Sequence, residues 1–82
     1  MIQLVPIRKV IDRRGMKLSI NQFMLRSGVS LNTARRYWYN AQSGVDGGAP
    51  LQMIHFPTIQ RVADALGVDW RDLLEDSDDN AN

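Results

Sequence analysis

The side chains best suited to chemistry are crowded into residues 30–39, SLNTARRYWY. Asn32, Arg35 and Arg36 carry amide and guanidinium groups that make paired, parallel hydrogen bonds. An arginine can bind both major-groove acceptors of guanine, an asparagine can match adenine in the same way, and each such pair discriminates by about 1–3 kcal/mol. On a helix Asn32 and Arg36 are four residues apart and share a face, with Arg35 beside them. No comparable set supports catalysis. Acidic residues are plentiful, but none pairs with His55 or a serine in a motif that generates a nucleophile, so no enzymatic role is expected. With one histidine and no cysteine, a zinc site is not expected. The glycine-rich GVDGG at 44–48 matches neither a dinucleotide fingerprint nor a phosphate-binding Walker loop, and no cofactor is expected.

Those side chains can act together only if the segment around them coils. Ser30 is a suitable N-cap, and from it a helix to about Tyr39 would place Ala34, Tyr37 and Trp38 on an inner face, with Asn32, Arg35, Arg36 and Tyr39 outside. Upstream, Ser19 and Gln22 have the spacing of a capping box, which predicts a helix carrying Phe23 and Met24 inward and stopping near Ser27, because Gly28 readily adopts the left-handed conformation. Pro6, Ile7, Val10 and Ile11 predict an amphipathic helix over 6–14, ended by Gly15. After the central segment, AQSGVDGGAP reads as a mobile loop, and LQMIHF is either a short extended segment or part of the same loop, which then runs over 41–56. Pro57, Ile59, Val62, Ala63 and Leu66 predict a helix over 57–66, stopped by Gly67. Asp69 would cap a fifth, WRDLLED, returning Trp70, Leu73 and Leu74 to the core. Residues 1–75 thus form one all-α domain, a compact five-helix bundle, followed by an acidic, disordered tail at 76–82.

The bulk numbers agree with a single small domain: 82 residues, 44% hydrophobic and 23% charged. A net charge of +1 hides a polarity. Up to Asn40 there are eight basic residues against Asp12 alone, a net of +7; from Ala41 onward Arg61 and Arg71 face eight acidic residues, a net of −6. A basic half is the electrostatic footprint expected for a polyanion, and an uneven solvated surface is the plainer alternative. No run is long enough to cross a bilayer and the N-terminus lacks the order of a signal peptide, so no membrane association and a cytoplasmic location are expected.

The segment KLSINQFMLRSGVSLNTARRYWYN resembles the helix-turn-helix of Cro/cI-type (Xre-type) DNA-binding regulators, and FPTIQRVADALGVDWRDLLE resembles the two helices that follow it in that family. The resemblance covers about residues 5–75 and implies a fold of the lambda-repressor-like type. It places Gly28 at the turn, Ser30 at the cap, and Ala34 and Tyr37 inward, and it implies that Leu31, Asn32, Thr33 and Arg36 enter the major groove of double-stranded DNA. Arg35 suits a base edge or a phosphate, Leu31 or the Thr33 methyl could meet a thymine methyl, and Tyr39 could bond a phosphate through its hydroxyl. Lys17, Ser19 and Asn21, near the start of the preceding helix, would hold phosphates and set the register.

Three features depart from the family pattern. Ile20 stands where the family often has a glutamine that touches backbone phosphate. Met24 replaces a small residue while Ala34 replaces a larger aliphatic, which suggests an exchange of volume between facing helices. The loop after the central helix is also longer than usual. The function implied is a sequence-specific transcriptional regulator, a repressor acting as a homodimer on half-sites about one helical turn apart. Two alternatives stand beside it. SGVSLNTARRYW also resembles the recognition helix of MerR- or excisionase-like modules, and an antitoxin-like interaction domain could use the acidic C-terminal half to bind a basic protein.

Overall fold

A computed structural model describes residues 2–76. Its order of elements is β1 (Ile2–Leu4), α1 (Ile7–Arg13), α2 (Ile20–Ser27), α3 (Leu31–Tyr39), α4 (Phe56–Leu66), a 3-10 turn (Trp70–Leu73) and β2 (Leu74–Asp76). The five-helix, all-α bundle expected from the sequence is therefore corrected. Among the described residues there are four α-helices and a two-stranded antiparallel sheet that joins Ile2–Leu4 to Leu74–Asp76.

The correction falls on the segments whose conformation depends on distant partners. In β1 and β2, Ile2 faces Asp76, Gln3 faces Glu75 and Leu4 faces Leu74, and the Val5 N–H continues the pairing by donating to the Leu73 carbonyl at 2.8 Å. WRDLLED begins as anticipated, with the Asp69 carboxylate accepting from the Arg71 N–H at 2.8 Å. Four residues later Leu74 is extended (φ −120°, ψ 146°), because pairing with β1 satisfies its backbone while Leu73 drops fully into the core. Asp76, assigned from sequence to the tail, belongs to β2; the remainder of that tail lies outside the described residues. The same strand explains the start of α1. Val5 is still held extended, so Pro6 (ψ 131°) flanks the helix instead of opening it, although its carbonyl accepts from Lys9 and Val10.

The helices with strong local signals form where expected. Ser19 Oγ accepts from the Gln22 N–H at 3.2 Å while Gln22 Oε1 accepts from the Ser19 N–H at 2.9 Å, completing the capping box. Gly28 closes α2 at φ 71°, a conformation nearly free of strain only for glycine. Ser30 Oγ accepts from the Thr33 N–H at 3.2 Å and opens α3. Thus α2 and α3 are joined by a turn of residues 28–30, with a side-chain cap at each helix start.

One core serves every element. Phe23, Leu4, Ile7, Ile59, Leu73, Val5 and Val62 are its largest fully enclosed side chains, each contributing about 1.5–3 kcal/mol relative to exposure. α2 lies against α3 and α4, and α1 against α3. Ala34 is fully buried and Met24 is half-buried against the same cluster. Trp38 is also half-buried there, its ring centroid 5.8 Å from that of Phe23. Among the described residues no helix is long and apolar enough to cross a membrane.

Candidate nucleic-acid interface

Burying Ala34 and Tyr37 turns the opposite side of α3 outward. Leu31, Asn32 and Arg35 are exposed on it, and no hydrogen bond or ion pair among the described residues engages the side chain of Asn32 or Arg35. Ser30 is exposed and Thr33 half-buried, and besides the cap their hydroxyls bond each other at 3.1 Å. Lys17, Ser19 and Asn21 are exposed around the start of α2, with Ser19 occupied by the capping box. The local caps orient these groups without requiring any of them to be buried.

Arg36 and Tyr39 stand differently. Both are half-buried, and both are engaged by groups that the sequence pattern did not single out. Arg36 Nη2 donates to Gln42 Oε1 at 2.7 Å, and its Nε is shielded from solvent with no partner. The Arg8 guanidinium lies 5.3 Å from the centroid of the Tyr39 ring. Arg8 also makes a two-pronged bond to Asp46, Nη2 to Oδ1 at 2.6 Å and Nη1 to Oδ2 at 3.2 Å. A tyrosine expected on the open surface is thus covered by a cation from α1, and that cation is tied to the loop.

The loop responsible is folded, not the unanchored connection its composition suggested. Asn40 takes a left-handed conformation (φ 50°, ψ 58°) that ends α3, and its Oδ1 accepts from the Leu51 N–H at 3.1 Å. Between these points the Gln42 N–H donates to the Ala49 carbonyl at 2.8 Å, and Ala41 and Leu51 are buried. The chain therefore leaves α3, turns over its outer flank and returns. Gly44 (φ 77°) lies against the helix: a Cβ there would lie 3.4 Å from Arg35 Cβ and 3.7 Å from Arg36 Cγ. A groove of about 320 Å³ opens between helix and loop, lined by Asn32, Arg35, Arg36, Gln42, Ser43 and Val45. Ile20 lines an adjoining recess with Tyr39 and Val45.

The outer face of α3 consequently offers one unengaged amide, one unengaged guanidinium and a second guanidinium held by the loop. Sequence reasoning missed Arg8, Gln42 and Gly44. Only Asn40 and Gly44 carried a usable signal, as residues tolerant of the left-handed conformation that a tight return requires. No family model, curated protein or solved structure matches the chain.

Proposed function

We propose that the protein is a sequence-specific double-stranded DNA-binding regulator, a repressor of the Cro/cI-type (Xre-type) helix-turn-helix group acting as a homodimer in the cytoplasm, with no catalytic role. The observation that carries this reading is the pairing of an exposed Asn32 and Arg35 with Arg36 on one side of a helix whose other side is locked in the core. Amide and guanidinium groups held on a rigid helix suit base edges, and Lys17 and Asn21 near the start of α2 suit phosphates. The resemblance is carried by α2, α3, α4 and the turn between the first two; Ile2–Leu4 and Leu74–Asp76 form a sheet of their own.

Repression would follow from occupancy, with basic side chains supplying affinity and α3 supplying choice of sequence. Selection of duplexes from a random pool should enrich one site, palindromic if a dimer reads it. Affinity should fall linearly with salt on logarithmic axes as phosphate counterions are restored. Arg36→Ala should relax the preference at one base pair by about 1–3 kcal/mol. Indifference of the protein to any duplex at low salt would remove the reading in favour of a protein-interaction module.

A further inference from the structure

The loop that lies over α3 changes what Arg36 can do. A free arginine presents two edges for parallel hydrogen bonds, the side edge of Nε and Nη2 and the terminal edge of Nη1 and Nη2. In this protein Nε is shielded from solvent and lacks a partner, so the side edge is closed. Gln42 Oε1 takes one Nη2 hydrogen at 2.7 Å, and Gly44 lies close enough to the stem that a β-carbon there would stand 3.7 Å from Cγ. Both restraints come from the loop, and both act on a side chain that would otherwise sample many rotamers. Gln42 is itself exposed, and its amide nitrogen retains two donors beside the groove shared with Asn32, Arg35 and Ser43.

Building on the DNA-binding reading, we propose that Gln42 is a positioning residue for base recognition: it holds Arg36 so that only the terminal edge of the guanidinium meets O6 and N7 of a guanine. The fixed loop thereby becomes part of the reading surface. Gln42 acts through Arg36, and the two side chains form one unit. Arg35, one residue earlier and with no hydrogen bond on its guanidinium, is the freer of the two arginines at its tip and suits the backbone.

The test is selection from a random duplex pool at one fixed salt concentration, comparing the full-length wild type with Arg36→Ala, Gln42→Ala, Gln42→Glu and the double variant Arg36→Ala/Gln42→Ala. Gln42→Ala should cut the guanine preference about tenfold at the position that Arg36→Ala erases, leaving preferences elsewhere and affinity for random DNA nearly intact. Gln42→Glu keeps the accepting oxygen and should keep that guanine preference, while its charge weakens binding to every duplex. At that position the double variant should be no worse than Arg36→Ala, since the two side chains act as a unit. Full guanine preference in Gln42→Ala, an equal loss at all positions, or a preference lost in Gln42→Glu would each overturn the positioning role while leaving DNA binding standing. A wild type that enriches no sequence would overturn the DNA reading and this inference together.

Discussion

Two neighbouring regions, the α2–α3 pair and the loop folded over it, are held by different physics. The pair is specified by contacts three or four residues apart: the Ser19–Gln22 box, the Ser30 cap and the left-handed Gly28. Buried Phe23, Ala34 and Tyr37 then dock it on the core. The loop is specified at a distance, by Asp46 on Arg8 of α1, by Leu51 on Asn40, and by Gly44 against α3. The face that resembles a DNA reader belongs to the first region, whereas the restraint on its central arginine belongs to the second. The position of the Arg36 guanidinium therefore depends on a segment without regular secondary structure.

The largest perturbation erases the comparison. Phe23 is fully buried where α2 meets α3 and α4 and contacts Trp38, so Phe23→Ala should cost about 3–5 kcal/mol through lost transfer and an unfilled cavity. In so small a domain that is a large fraction of the total stability, and denaturant unfolding should show both regions failing in one transition. A loss below 1 kcal/mol would mean that the site collapses and the pair is docked by other residues.

A smaller change should separate the regions. Gly44→Ala forces a β-carbon into φ 77° and against Arg35, which should cost about 1–2 kcal/mol from backbone strain. The amide chemical shifts of residues 40–51 should move while those of α2 and the α4 core stay in place. Shifts spread evenly over all four helices would contradict the independence of the loop.

The smallest effect tests the ion pair. Asp46 and Arg8 are well exposed, 60% and 37% at the side chain, so solvent screening limits the pair to at most about 0.5–1 kcal/mol despite its short bond. Asp46→Asn should lower the denaturation midpoint slightly at low salt and not at 1 M salt, where the Debye length is only about 3 Å. A large, salt-independent loss would show that the Asp46 carboxylate holds the loop by hydrogen-bond geometry more than by charge.

The readable parts of the molecule were those with short-range causes. Ser19, Gln22, Gly28 and Ser30 place two helices and their turn by satisfying backbone groups locally, and the spacing of Ala34 and Tyr37 fixes which side of α3 is left for Asn32 and Arg35. WRDLLED misled for the opposite reason. Its cap and apolar spacing favour a helix, yet its last residues complete a ladder with Ile2–Leu4, more than seventy positions away by the register Ile2 to Asp76. Polar loop composition misled in the same way, because Asn40 Oδ1 and the Leu51 N–H find each other only after the chain has turned.

By itself, then, the sequence determined the α2–turn–α3 unit, its inner and outer faces and the cationic, amide-bearing character of the outer one. Tertiary structure alone decided that Ile2–Leu4 and Leu74–Asp76 pair as strands, that Arg8 covers Tyr39, and that Gln42 restrains Arg36 but not Arg35. The reason is the range of the interactions. Caps and helical periodicity act within one or two turns and are written in adjacent residues, whereas strand pairing and loop closure depend on which distant groups the finished core brings together.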